Sequence, residues 1–215
     1  MKGSDDMIKM ADKWLRAILA GFMIGAGGTL FLSVENRYMG SFLFGIGLFT
    51  ILVFKLSLFT GKVGYAVQQK ASYLVDLAII WAGNLIGTVG VGLMMLQTRS
   101  AAALTEKAAA ICHTKLDDGL VSIFVLSIFC GVMMFLAADN FKKAENAMQK
   151  NIGIFLPVMV FILCGFEHCV ANMFYFTVAQ AWSGKAVVYL LVMSLGNSVG
   201  AFIFPLCEKV FKKAE

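Results

Sequence analysis

Charged residues are scarce in this chain of 215 residues, in which Asp, Glu, Lys and Arg together make up 14%. Soluble domains are about a quarter charged. The low charge, a hydrophobic share of 60% and a mean hydropathy of +0.81 therefore exclude an ordinary soluble protein and predict a polytopic membrane protein. A spanning helix needs roughly 20 apolar residues, so six spans use nearly the whole chain and leave no room for a large enzyme module outside the membrane.

Proline and paired metal ligands are also scarce, and each shortage excludes a class of protein. The two prolines, Pro157 and Pro205, do not form the paired Asn-Pro-Ala half-helices of water and glycerol pores. The five cysteines include no CxxC pair, and Cys164, His168 and Cys169 alone are too few ligands for a metal site. We therefore expect neither a metal nor a cofactor. The net charge of +5 is interpreted as loop bias and not as a nucleic-acid surface.

The apolar segments predict an all-α membrane protein with six transmembrane helices. The second helix is interrupted near Lys55 and Ser57, and the fifth is interrupted near Glu167 and His168. Backbone that leaves the helix at membrane depth is tolerated where protein or a cavity satisfies it, and matching interruptions in two halves indicate a transport site. The predicted spans are 14–34, 40–60, 74–96, 118–138, 152–176 and 187–207.

A repeated motif divides the chain into two halves. GNxxG at residues 83–87, in the third span, recurs at residues 196–200 in the sixth, and the two interruptions have nearly the same separation. Each half has three spans, an odd number, so the second half must enter the membrane from the opposite side. This predicts an inverted 3+3 repeat. The predicted domains are a channel domain 14–207 with halves of about 14–96 and 118–207, an N-terminal segment 1–13 and a C-terminal tail 208–215.

Basic residues predict the orientation of the chain. Twelve Lys and Arg residues lie at the two termini and in the loops 61–73 and 139–151, whereas the other three loops hold five. Because cytoplasmic loops carry the excess of Lys and Arg, both termini are predicted to be cytoplasmic. We expect a multi-pass protein of a bacterial-type cytoplasmic (inner) membrane.

Three polar residues lie within the fifth predicted span: Glu167, His168 and Asn172. Ionisable groups at bilayer depth are costly and usually face a protein interior or a water-filled path. A neutral imidazole can donate a hydrogen bond and exchange a proton with a weak acid, so His168 is a candidate pathway residue. A satisfied core histidine is the alternative. Glu167 is expected to hold backbone or Asn partners, because an exposed carboxylate would repel anions.

Two further candidates lie outside this span. Thr60, at the matching interruption, can offer its hydroxyl group, and Lys115, at the start of the fourth span on the outer side, can attract an anion. A lysine at a span end is ordinarily a snorkelling anchor. The rival class is a membrane-embedded enzyme with Glu167 and His168 as an acid–base pair, but adjacent helical positions do not face the same way.

The segment GFEHCVANMFYF at residues 165–176, LFTGK at residues 58–62, the two GNxxG motifs and the six spans together resemble the formate/nitrite transporter family. The resemblance covers essentially the whole chain, and the family also includes bacterial hydrosulfide channels. It implies an aquaporin-like protomer of six helices. It further implies a homopentamer around a central axis, in which each protomer has its own pore.

The resemblance also implies roles for the residues singled out above. His168 would be the central pore histidine, oriented by Asn172, and Thr60 would face it from the interrupted second span. Lys115 would be the lysine of the outer vestibule. Apolar constrictions on either side of His168 are implied at Phe44, Leu48, Leu58 and Phe161, with a further one at Met134.

The predicted function is a channel or proton-coupled transporter for small monovalent anions of weak acids, namely formate, nitrite or hydrosulfide. Its partners are the anion, a proton and membrane lipid. Desolvation between apolar collars raises the proton affinity of the anion, so that it passes His168 and Thr60 nearly neutral. An aquaporin-like neutral-solute pore is the alternative. Lys55 departs from the formate type, which has small residues and an acid before LFT, and this leaves the choice of anion open.

Overall fold

The computed structural model describes residues 2–214, with side chains from residue 4 to residue 211, and this part of the chain is helical. Lys2, Lys212 and Lys213, which we counted at the chain ends, lie outside the described side chains. A 3₁₀ segment, Val63–Gln68, follows the third helix. The α-helices are α1 (Lys2–Ser33), α2 (Arg37–Val53), α3 (Phe59–Lys62), α4 (Tyr73–Met95), α5 (Ala101–Asp117), α6 (Leu120–Lys143), α7 (Ala147–Leu163), α8 (Cys169–Val178) and α9 (Gly184–Ala214).

Four helices of the described chain are long and apolar enough to cross a membrane. They correspond to the first, third, fourth and sixth predicted spans. Even the shortest, α4, has 23 residues and rises about 35 Å, more than the roughly 30 Å of a hydrocarbon core. The four segments are Ser4–Ser33, Tyr73–Met95, Leu120–Lys143 and Gly184–Phe211.

The second and fifth predicted spans are each broken into two helical pieces. In the second, α2 ends at Val53 and α3 begins at Phe59; in the fifth, α7 ends at Leu163 and α8 begins at Cys169. The structure thus shows both interruptions. α2 and α7 also begin in the same way, because the side chains of Asn36 and Asn146 accept hydrogen bonds from backbone N–H groups of the first turn.

The two breaks share one backbone geometry. Lys55 has a φ of 54° and Gly165 a φ of 69°, both in the left-handed region. The next residue then turns back, so that Leu56 N donates to Ile51 O and Phe166 N to Phe161 O. This six-to-one bond is the helix-ending motif in which glycine is preferred, because a Cβ is strained at a positive φ.

These equivalent positions provide a test of backbone strain. Lys55→Gly should raise the free energy of unfolding by up to about 1 kcal/mol, and Gly165→Ala should lower it by about the same amount. A Cβ at residue 165 would meet no heavy atom within 4 Å, so the cost is backbone strain and not a clash. Thermal unfolding in detergent measures both changes. A more stable Gly165→Ala protein would contradict this account.

Close helix pairs position the breaks. α1 packs along α4, and α6 packs along α9. A Cβ at Gly87 would collide with the carbonyl oxygen of Ile18, and one at Gly200 would collide with that of Ile128. The second glycine of each GNxxG motif therefore allows the backbones of each helix pair to touch.

The structure differs from the prediction in one of the loops between spans. Residues 101–117, predicted as part of a loop, form the helix α5, because this segment is rich in alanine, the strongest helix former. At the chain ends, the helices α1 and α9 extend beyond the predicted spans, to Lys2 and Ala214. The division into an N-terminal segment 1–13, a channel domain 14–207 and a tail 208–215 stays a prediction.

Candidate functional site

The asparagine of the first GNxxG motif holds the first break in place. Asn84 is fully buried, and its Oδ1 accepts a hydrogen bond of 2.8 Å from the backbone N–H of Phe59, the first residue of α3. Its Nδ2 donates to Ala17 O at 2.8 Å and to Ser57 O at 2.9 Å. One side chain thus joins α1, α4 and the interrupted segment.

The asparagine of the second motif makes the same set of contacts. Asn197 Oδ1 accepts from the N–H of Cys169, the first residue of α8, at 2.9 Å. Its Nδ2 donates to Ser127 O at 2.8 Å and to Glu167 O at 2.7 Å. The sequence identified these asparagines as markers of a repeat and missed their contacts. The signal that could have indicated these contacts was a carboxamide side chain at the same position in two apolar helices.

Two side chains meet where α3 and α8 begin. His168 Nε2 lies 2.9 Å from Thr60 Oγ1, and the two residues are 1% and 0% exposed. His168 is also the N-cap of α8, since its Nδ1 accepts a hydrogen bond of 3.0 Å from the N–H of Ala171. The structure therefore brings together the two residues that the sequence placed at the two interruptions.

The cap determines which nitrogen of His168 carries hydrogen. Nδ1 already accepts from Ala171 and must be unprotonated, so a neutral imidazole carries its hydrogen on Nε2. That hydrogen is donated to Thr60 Oγ1. The hydroxyl hydrogen of Thr60 then remains available to a third partner.

Asn172 donates no hydrogen bond to the imidazole ring that it was expected to orient. Its Nδ2 donates to Glu167 Oε2 at 2.8 Å and to the backbone oxygen of His168 at 3.0 Å. The ring is held instead by Thr60 and by the N–H of Ala171. Among the described side chains, Asn172 Oδ1 is a buried oxygen without a hydrogen-bond partner.

Lys115 lies elsewhere than predicted and is paired. It occupies the last turn of α5, not the start of the fourth span, because α5 ends at Asp117 and α6 begins at Leu120. Its Nζ donates to Glu167 Oε2 at 2.5 Å, and the two side chains are 13% and 4% exposed. Glu167 holds Asn172, as the sequence predicted, but the pairing with Lys115 was not predicted.

Two cavities approach this site at different levels of α1. The lysine cavity, of about 510 Å³, is lined by Lys55, Lys62 and Lys142 and by Leu48, Ile51, Leu52, Val53, Leu56, Leu58, Gly61, Ala138 and Phe141. The Glu167 cavity, of about 220 Å³, is lined by Glu167, Lys115 and Arg37 and by Phe31, Ile111, Thr114, Phe161, Ile162, Gly165, Phe166 and Tyr175. Arg16 of α1 donates a hydrogen bond to Lys55 O at the lysine cavity, and Phe31 of α1 lines the Glu167 cavity. These two residues are roughly 22 Å apart along the helix.

The predicted constriction residues fall at different places around these cavities. Leu48 and Leu58 line the lysine cavity, and Phe161 lines the Glu167 cavity. The ring of Phe161 stacks on His168 with centroids 5.5 Å apart, and Phe44 packs edge-on against Phe161 at 5.7 Å. Met134 is buried in α6 and lines neither of these two cavities.

Two further polar residues of the Glu167 cavity were missed by the sequence reasoning. Arg37 was counted only as a loop charge, yet its guanidinium donates to Ile162 O at 3.0 Å at the cavity wall. Tyr175 lies one turn beyond Asn172 in α8 and lines the same cavity. An aromatic residue in an apolar run carries no signal that separates it from packing.

The structure is a membrane helix bundle with two broken helices, and both helices begin again at one buried polar pair between two cavities. This arrangement places the protein in the class of helical membrane transport proteins. Residues 5–210 match the family described as "Formate/nitrite transporter". The chain belongs to this family, and it is accordingly a transport protein and not an enzyme.

Individual relatives are similar over most of the chain. An uncharacterised transporter of Bacillus subtilis (strain 168) is 28% identical over 184 residues, which cover 79% of this chain and 69% of the relative. A probable formate transporter of Methanothermobacter thermautotrophicus is 28% identical over 232 residues, which cover 89% of this chain and 85% of the relative. The solved structure of a pentameric formate channel with formate bound superposes with a TM-score of 0.84 at 24% identity and covers 96% of this chain and 98% of that one.

Proposed function

We propose that this protein is a channel or proton-coupled transporter for small monovalent anions of weak acids: formate, nitrite or hydrosulfide. The anion travels between the lysine cavity and the Glu167 cavity past His168 and Thr60. The single observation that carries this proposal is the buried contact of 2.9 Å between the two side chains, with a cavity on each side. The family description and the related probable formate transporter support formate and nitrite as substrates.

Hydrogen bonding at the centre suits a small acid. When an anion arrives, the hydroxyl hydrogen of Thr60 and the Nε2 hydrogen of His168 are two donors for one or two acceptor atoms. A proton on Nδ1 would break the cap of α8, so His168 acts mainly as a neutral donor. The unpartnered Oδ1 of Asn172 can accept a hydrogen bond from a water molecule or from the protonated acid.

The Lys115–Glu167 pair sets the charge at the Glu167 cavity. A lone lysine would hold an anion and delay it, whereas the buried pair is close to neutral and leaves Arg37 as the net positive charge. The apolar walls formed by Phe161, Leu48 and Leu58 strip water from the anion. Desolvation favours its protonation, so the species at His168 is nearly neutral.

Six spans in an inverted 3+3 repeat make up the protomer, with an aquaporin-like arrangement of halves 14–96 and 118–207. The matching contacts of Asn84 and Asn197 support this topology. Both termini are cytoplasmic in the inner membrane, and five protomers assemble in lipid, as in the pentameric formate channel to which the chain is similar.

A flux panel in proteoliposomes tests the proposal. Formate, nitrite and hydrosulfide should all cross faster than through protein-free membranes, and their flux should rise from neutral to mildly acidic pH as more of each anion can be protonated. Glycerol is the control, because a neutral-solute pore would conduct it. Equal permeation by glycerol and formate would support the aquaporin-like alternative and contradict the proposal.

A further inference from the structure

The lysine cavity has more uncompensated positive charge than the Glu167 cavity, where Arg37 alone remains beside the Lys115–Glu167 pair. Lys55, Lys62 and Lys142 line the lysine cavity, and none of these three side chains pairs with a carboxylate among the described residues. Asp139, which attracts Lys142, is already engaged by Lys143 at 2.7 Å and by Tyr65 at 3.2 Å. The cavity therefore has a net positive charge that no neighbouring acid fully neutralises.

The positive groups around this cavity repel one another. Lys62 repels Lys142, and Arg16, whose own partner is Asp12, repels Lys62. Lys142 lies over the ring of Tyr65 at 3.5 Å, which favours a cation but adds no negative charge. Binding of an anion between these groups would relieve the repulsion.

We propose that the lysine cavity is a binding site for a free multivalent oxyanion of the phosphate type, which obstructs transport from that end of the pore. This rests on the proposed function only for the obstruction, not for the binding. Attraction grows with the product of the charges, so a divalent ion gains more from the three lysines than a monovalent substrate does. A volume of about 510 Å³ accommodates such an ion with part of its water, since one water occupies about 30 Å³.

The same ion is poorly suited to pass the centre. Leu58 and Leu48 are buried and line the cavity, and Leu58 lies two residues before Thr60 in the chain. The cost of moving an ion into an apolar medium grows with the square of its charge, so a divalent anion meets a far larger barrier there than a monovalent one. One proton cannot neutralise it. The ion therefore binds and blocks, whereas a weak-acid anion passes.

Binding is tested first, without reference to transport. The purified full-length protein in lipid-free detergent is titrated with inorganic phosphate at constant ionic strength, and thermal unfolding is followed. Phosphate should raise the unfolding temperature of the unmodified protein more than formate does. In the variant Lys55→Gln/Lys62→Gln/Lys142→Gln the apparent dissociation constant should rise by about tenfold or more, because the charges that attract phosphate are gone.

Lys185→Gln is the control, because Lys185 is an exposed lysine, 5.5 Å from the centroid of the Tyr189 ring, and does not line the cavity. This variant should bind phosphate as the unmodified protein does. Equal binding in the triple variant, an equal effect of formate, or an effect of a short-chain phosphatidic acid without one of phosphate would each overturn the proposal.

Obstruction is tested second, in proteoliposomes. Phosphate on both sides should slow formate flux, and the ratio of flux with and without phosphate should return towards one in the triple variant. Phosphate that binds in detergent but leaves flux unchanged would overturn the obstruction. Absence of any flux without phosphate would instead contradict the proposed function, and the binding result would still stand.

Discussion

His168→Ala is expected to weaken the preference for weak-acid anions strongly while the protein still folds. The substitution removes the central imidazole, its contact with Thr60 and the cap that it provides to Ala171 N. Loss of a cap costs about 1 kcal/mol, which a folded domain tolerates. Without the donor and the ring, the ratio of formate flux to chloride flux should fall by about tenfold or more, corresponding to roughly 1.4 kcal/mol of lost discrimination.

The measurement is flux of formate and chloride in proteoliposomes across pH, since chloride is the anion of a strong acid and is not protonated. Two variants separate the roles of the site. His168→Asn retains a cap and a hydrogen-bond donor but cannot exchange a proton, and Thr60→Val removes the hydroxyl group at nearly constant volume. An unchanged ratio of formate flux to chloride flux in His168→Ala would contradict the proposed pathway.

Glu167→Ala is expected to destabilise the protein by about 3–5 kcal/mol, the usual cost of removing one partner of a buried ion pair. The substitution leaves the ammonium of Lys115, 13% exposed, without its carboxylate, and it leaves Asn172 Nδ2 with one acceptor fewer. Glu167→Gln should cost less, because an amide oxygen can still accept from both donors. Thermal unfolding in detergent measures these changes.

A double-mutant cycle isolates the ion pair. Lys115→Met combined with Glu167→Gln should recover most of the stability lost in Glu167→Gln, with a coupling of about 0.5–3 kcal/mol. The control pair is Lys107–Glu35, at 2.7 Å, in which Glu35 is 91% exposed. Exposed pairs contribute about 0–1 kcal/mol, so Glu35→Gln should change little. Equal losses at the two pairs would contradict the assignment of a buried pair.

Part of the candidate site could be read from the sequence, and part of it could not. The breaks near Lys55 and near Glu167, and the polar residues His168 and Thr60, follow from local departures in otherwise apolar segments. The position of Lys115 was wrong because the helix α5 was not recognised. The segment before α6 combines alanines with charged and polar residues and is not apolar enough to indicate a span, so it was interpreted as a loop.

The partners of polar residues were the least predictable part of the site. Asn172 was expected at the imidazole and instead joins Glu167 to the backbone of His168. Which of several nearby acceptors an amide chooses depends on side-chain rotamers and on the exact turn of the broken helix, and residue spacing does not specify these.

Hydropathy, residue periodicity and the repeated GNxxG motif determined that this protein lies in a membrane, where its helices are interrupted and to which family it belongs, because these are properties of contiguous segments. The tertiary structure alone decided that Thr60 meets His168 across 108 residues, that Lys115 meets Glu167 across 52, and that Lys55, Lys62 and Lys142 share one cavity. Charges at such separations interact only when packing of the helices brings them within a few ångströms. Small residues on the helix faces set that packing, and the sequence of one helix does not say which other helix packs against each face.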